Sequence, residues 1–193
     1  MLSASDLDKI FKAIYKYYNV DKNPEITLEA NPDDITEELL KTLKSQGINR
    51  LSLGVQSFFE KDLKLMNRAH NVDEAKNSIN LVKEYFDNYS IDLIYGMPEM
   101  DLERWQKNLE IALGFDIPHL SCYALTVEPN TALKRFIDKD IIPPVDDEQA
   151  ALHFDYLYET MTLQGFENYE FSNFGKPGYF SQNNLNYWLG KPY

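Results

Sequence analysis

Cysteine is almost absent from this sequence of 193 residues, which contains only Cys122. A single cysteine excludes an internal disulfide framework. It also excludes any iron–sulfur or zinc site that would be built from several cysteines of this chain alone. Chemistry inside this sequence therefore has to rest on other side chains.

Positive charge and long apolar runs are scarce as well. The chain has 19 Lys and Arg against 31 Asp and Glu, a formal charge of −12. With no local basic patch, such a chain repels phosphate backbones, and no nucleic-acid partner is expected. The lack of a long apolar run or a signal peptide predicts no membrane span and favours a cytoplasmic protein. The 13 Tyr and 11 Phe favour a packed domain and suit a planar ligand.

Helical spacing alternates with short strand-like segments along the chain, which indicates an α/β fold with parallel strands and right-handed crossovers. We predict five strands, over residues 25–31, 50–58, 90–95, 119–127 and 166–171. A βα barrel normally begins with a strand, whereas this sequence begins with a helix. We therefore expect a fragment of a longer barrel, with its first strand missing and a sheet edge exposed to self-association.

The segment 50–58 has two different faces. Its apolar face carries Leu51, Leu53 and Val55, and its other face carries Ser52, Gly54 and Gln56. A strand packed on both sides should be apolar on both. The pattern predicts helices outside the sheet and a polar, ligand-filled space inside, near the carboxyl ends of the strands.

Three other strands carry an acidic residue in a similar place: Glu29, Asp92 and Glu170. Together with Gln56 they point to one shared cleft. Two carboxylates and an amide suit a ligand with ammonium, amide and ribose hydroxyl groups, and Arg68 could bind a carboxylate of that ligand.

Structural readings of the same residues remain open at this point. Glu29 and Asp92 serve equally well in ion pairs, Arg68 could pair with Asp62 or Asp73, and Glu170 could pair within the barrel.

Six segments taken together resemble a known family. They are 26–32 (ITLEANP), 50–58 (RLSLGVQSF), 67–70 (NRAH), 92–98 (DLIYGMP), 169–174 (YEFSNF) and 183–188 (NNLNYW). The chain resembles the oxygen-independent coproporphyrinogen III oxidase-like family of radical S-adenosylmethionine (SAM) proteins. The last segment is most similar to its heme-chaperone branch.

The resemblance implies a partial (β/α)6 radical SAM barrel over residues 1–180. Residues 181–193 would begin a linker to an absent C-terminal domain. It also implies that SAM is bound through Glu29, Gln56, Arg68 and Asp92. In the family, a [4Fe–4S] cluster held by three cysteines and by SAM splits SAM to a 5′-deoxyadenosyl radical. That cysteine triplet would precede this sequence, so the chain alone is expected to be inactive, with no catalytic residue and no metal ligand of its own.

A heme-chaperone-like member of tetrapyrrole metabolism is the function that the resemblance favours. The alternatives are a true coproporphyrinogen III dehydrogenase, which decarboxylates propionates oxidatively, and a non-catalytic tetrapyrrole-binding module. Glu170, Tyr187 and Trp188 are candidate contacts for substrate or heme, although Tyr187 and Trp188 also suit core or interdomain packing. The branch has a histidine where this chain has Asn183, so this position lacks the family's imidazole.

Overall fold

A computed structural model describes residues 3–191 and gives this part of the chain eight α-helices and six strands. The helices are α1 (Ala4–Tyr17), α2 (Glu37–Ser45), α3 (Glu60–Leu65), α4 (Val72–Tyr85), α5 (Leu102–Gly114), α6 (Ala132–Asp138), α7 (Asp147–Leu163) and α8 (Gln182–Trp188). The strands are β1 (Thr27–Ala30), β2 (Arg50–Gln56), β3 (Tyr89–Tyr95), β4 (His119–Ala124), β5 (Glu167–Asn168) and β6 (Asn173–Gly175). None of these helices is long and apolar enough to cross a membrane.

Side-chain caps fix the starts of the helices. Ser3 accepts a hydrogen bond from the Asp6 amide at the start of α1, and Thr36 caps α2 in the same way. These caps satisfy amide groups that have no partner inside the helix.

One sheet of six strands, in the order β1-β2-β3-β4-β6-β5, organises the molecule. The first four strands are parallel, as predicted. The outward side chains of β2 to β4, among them Leu51, Leu53, Ile91, Leu93 and Leu120, are fully buried in the core. The sheet does not close, which agrees with a partial barrel.

The last predicted strand is wrong in extent and in its pairing. Instead of one parallel strand over 166–171, two short strands form, and β6 pairs antiparallel with both β4 and β5. Side chains close the tight connection between them: Asn168 donates to the Glu170 and Asn173 carbonyls, and Glu170 accepts from the Ser172 amide. Such local side-chain bonds compete with strand pairing and turn the chain early. β6 ends at Gly175.

A buried ion pair holds the loop that follows β2. Asp62 accepts from Arg104 Nη1 at 3.0 Å and from the Ser57 hydroxyl at 2.7 Å. Asn108 accepts from the Phe58 amide at 2.7 Å. This network anchors the chain just beyond Gln56, and it uses the carboxylate that was a possible partner of Arg68.

Candidate cofactor-binding site

The inner face of the parallel strands is polar across the sheet. Glu29, Ser52, Ser90 and His119 are lateral partners on β1 to β4 and form a single row. Two residues further along β3 and β4, Asp92 lies beside Ser121. The strand alternation seen in the sequence therefore places the polar side chains in one interior space.

Glu29, Gln56, Arg68 and Asp92 line one cleft of about 370 Å³ on this face. The structure thus brings together all four residues that the resemblance assigned to SAM. Asn31 and Asp34, which follow β1, also line it and were not singled out from the sequence. In the sequence, only their position just after the first strand indicated that they could line the cleft.

Gln56 reaches the cleft through an irregularity in β2. The register with β3 shifts between Leu53 and Gln56, and Gln56 has a left-handed φ of 67°. A Cβ on the adjacent Gly54 would lie 2.7 Å from Gln56 Nε2 and 3.1 Å from an Arg68 guanidinium nitrogen. A larger residue at this position would force the ends of the Gln56 and Arg68 side chains to move.

Arg68 has no acidic partner among residues 3–191. The ion pair with Asp62 is excluded because Asp62 binds Arg104, and no pair forms with Asp73. Arg68 Nε is buried and has no hydrogen-bond acceptor. A guanidinium with a vacant donor in a cleft is suited to bind a carboxylate.

Asp92 occupies the centre of the polar face. Its Oδ1 accepts from the Ser52 hydroxyl at 3.1 Å, and Ser52 shares a 2.7 Å hydrogen bond with Ser90. Burial raises the pKa of Asp92 to about 6, and the Ser52 hydrogen bond only partly opposes this effect. Near neutral pH the buried carboxylate is ionised, and this costs free energy. A hydrogen-bond donor on a ligand would lower that cost.

Two further spaces adjoin the cleft in turn. A cavity of about 820 Å³ along the inner face shares Glu29, Ser52 and Asp92 with it. A third space of about 280 Å³ shares Tyr123 and Asn173 with that cavity. The cleft, the cavity and the third space are called the groove below.

Glu170, Tyr187 and Trp188 line the third space. Glu170 Oε2 accepts from Trp188 Nε1 at 3.2 Å, and Glu170 also accepts from the Asn173 amide group, so it both pairs within the barrel and faces the groove. Tyr187 and Trp188 are 62% and 53% exposed. They are not core residues in the described part of the chain.

Metal ligands are not gathered in these residues. Between residues 3 and 191 no group of three or more His, Cys, Asp or Glu is placed to hold a metal ion. Cys122 is buried on the outer face of β4, and burial raises the pKa of its thiol well above the ordinary value. It acts as a small core residue, and the residues present do not fit an iron–sulfur cluster.

Comparison with known proteins decides the family. Residues 2–112 match the Radical SAM superfamily. The chain belongs to the radical SAM superfamily. Membership implies SAM and a [4Fe–4S] cluster as the cofactors of the family.

Its relatives fall in the heme-chaperone branch. The chain is 36% identical to the heme chaperone HemW of Bacillus subtilis, with 100% of this chain and 51% of that protein covered. It is 35% identical to HemW of Synechocystis, with 100% of this chain and 47% of that protein covered. The chain thus spans about half the length of these relatives.

Solved structures share the fold. Coproporphyrinogen III oxidase (HemN) from Escherichia coli superposes with a TM-score of 0.80 at 24% identity, over 98% of this chain and 43% of that one. The archaeal Elp3 of Methanocaldococcus infernus superposes with a TM-score of 0.63 at 26% identity, over 68% of this chain and 32% of that one. The predicted α/β radical SAM barrel is confirmed, with the antiparallel β5 and β6 as the departure.

We expect Asp92→Asn to stabilise the protein near neutral pH by about 2 kcal/mol in the free energy of unfolding. The pKa of Asp92 is about 6 in the folded state and 3.8 ordinarily, so the folded state binds its proton more tightly. The wild type therefore loses stability as pH rises between these two values. The gain from Asn should vanish below pH 3.8.

Denaturant unfolding at several pH values measures this effect. Asp21→Asn, at an exposed site, is the control and should change little. A less stable Asp92→Asn protein at neutral pH, or a difference independent of pH, would contradict the assignment.

Proposed function

We propose that this chain is the SAM-binding barrel of a heme-chaperone-like radical SAM protein. The observation that carries the proposal is the convergence of Glu29, Gln56, Arg68 and Asp92 in one cleft where Arg68 lacks an acidic partner. The branch follows from relatives at 35–36% identity that are named heme chaperones, whereas the likeness to the oxidase shows the fold alone.

The donor set of the cleft fits SAM. Arg68 would bind the methionyl carboxylate through its free donors, and Glu29 the ammonium group. Asp92 would accept hydrogen bonds from ribose hydroxyls, and Gln56 would offer both a donor and an acceptor. Gly54 keeps the space between Gln56 and Arg68 open.

In this proposal the described residues of the cleft bind SAM and orient it. SAM would supply radical chemistry when it is bound to a reduced cluster, and the cluster ligands are not among the residues described here. Charge complementarity at the two ends of the methionyl group fixes its direction in the cleft. The polar row at Ser52 and Ser90 holds Asp92 in place for the ribose.

A tetrapyrrole would occupy the outer part of the groove. Tyr187 and Trp188 present exposed rings with centroids 5.5 Å apart at an interplanar angle of 85°, and Glu170 fixes the indole by a hydrogen bond. An exposed aromatic pair whose orientation is fixed suits contact with a macrocycle. Ser181 caps α8, which residues 182–188 form. It stays a prediction that residues 181–193 begin a linker. Residues 192–193 lie outside the described part of the chain.

Arg68→Gln should weaken SAM binding by about tenfold or more, because a charge-assisted bidentate contact is lost. Isothermal titration calorimetry of SAM into the chain gives the dissociation constants. Arg135→Gln, on the exposed face of α6, is the matched control and should bind as the wild type does. Equal affinity of Arg68→Gln and wild type would rule out this site.

Replacing Tyr187 and Trp188 together by Ala should weaken hemin binding at least about threefold, since two stacking surfaces are removed. Absorbance titration with hemin measures the change. Tyr158→Ala, at an exposed position of α7, serves as the control. Unchanged affinity in the double variant would place the macrocycle elsewhere.

Self-association is proposed from the edge of the sheet. β1 has β2 on one side and, among residues 3–191, no strand on the other. Free amide and carbonyl groups on an edge strand pair readily with a second copy. Light scattering should show species larger than a monomer, and a monodisperse monomer would count against this proposal.

A further inference from the structure

Within the described residues, Arg50 is a buried cation without a counter-ion. It begins β2, only 4% of it is exposed, and its Nε is buried without an acceptor. It takes part in none of the ion pairs formed among residues 3–191. A buried charge left unpaired costs several kcal/mol, so an anion is expected beside it.

The acidic groups that share its cavity do not fill this role. Glu25, Glu29 and Asp92 line the same cavity, but each lies beyond ion-pair distance of Arg50. Glu25 accepts from the Gln182 amide. The pKa of Asp92 is raised by burial far more than Arg50 lowers it, which agrees with weak attraction.

The other titratable neighbours of Arg50 add no charge. His119 shares a 2.7 Å hydrogen bond with the Tyr169 hydroxyl, and burial together with Arg50 lowers the pKa of His119 to about 3. Burial raises the pKa of Tyr169 to about 12. Both are neutral at physiological pH, so Arg50 is the single cation at this end of the cavity within the described residues.

The shape and walls of the cavity define its ligand. Its volume of about 820 Å³ is far larger than a simple inorganic ion needs and falls within the range of small-molecule sites. Apolar side chains line part of it, beside polar side chains of the strands; they are Phe11, Ile14, Tyr15, Val20, Ile26 and Leu28. A large molecule with an apolar body and an anionic end matches this mixed lining.

The cavity also opens toward the aromatic pair. Tyr123, Asn173, Asn183 and Asn184 line both it and the space beside Tyr187 and Trp188. The aromatic pair and Arg50 therefore line neighbouring spaces with a common boundary.

We propose that Arg50 binds a propionate carboxylate of a tetrapyrrole inside the barrel, in the cavity that adjoins the SAM cleft and shares Asp92 with it. This inference rests on the tetrapyrrole-binding function proposed above and names the group that orients the macrocycle. The carboxylate enters the inner face while the ring system contacts apolar side chains of the lining. No bond is made or broken in this step.

Hemin and hemin dimethyl ester, titrated under identical conditions, test the proposal. Wild type should bind hemin at least about tenfold more tightly than the ester, because only the free propionate can pair with a guanidinium. Arg50→Gln should bind both equally weakly, and Arg50→Lys should fall between. Arg135→Gln is the control for loss of one positive charge and should keep the wild-type preference.

Thermal unfolding separates binding from folding. Arg50→Gln should be at least as stable as wild type without ligand, since it removes a buried unpaired charge, and hemin should raise its Tm less. A titration with inorganic phosphate alone tests whether Arg50 binds a small anion instead.

The outcomes are distinct. Hemin binding that is unaffected by esterification and by Arg50→Gln overturns the inference and leaves the proposed function standing. Absence of hemin binding to wild type overturns both. A Tm shift by phosphate that Arg50→Gln abolishes, with hemin binding unchanged, makes Arg50 an inorganic-anion site and also overturns the inference.

Discussion

An inner sheet face that is polar across four parallel strands is the constraint on which the rest of this structure depends. Parallel strands put their carboxyl ends at one edge and their alternate side chains in one space. The row through Glu29, Ser52, Ser90 and His119 cannot pack against an apolar layer without unsatisfied groups. The inner face consequently borders a cavity of about 820 Å³ in which a ligand could satisfy these groups.

Charge on that face is divided between two guanidiniums that have no ion pair among residues 3–191 and the carboxylates near them. Within these residues, Arg68 and Arg50 each have a buried Nε without an acceptor, one at the cleft beside Gln56 and one in the adjoining cavity. Asp92 lines both spaces and has a raised pKa. Polar groups left unsatisfied in this way are costly for folding, which fits a surface shaped for binding rather than for stability.

Much of the fold and of the site follows from local sequence patterns. Strand alternation around Gln56 and the carboxylates at Glu29 and Asp92 predicted a shared cleft, and four parallel strands lie where they were expected. The antiparallel hairpin at β5 and β6 was missed because Asn168 and Glu170 bond to nearby backbone, which periodicity does not register. The partners of charged residues could not be predicted either, since they depend on tertiary distances: Asp62 pairs with a residue 42 positions away.

The bulge near Gln56 belongs with these tertiary effects, because it depends on the register with β3. The most direct test of the account is a crystal structure of the chain soaked with SAM. The account predicts electron density for SAM in the cleft, with its carboxylate on Arg68 and its ribose hydroxyls on Asp92. Density for SAM elsewhere on the chain, or an empty cleft at saturating SAM, would contradict it.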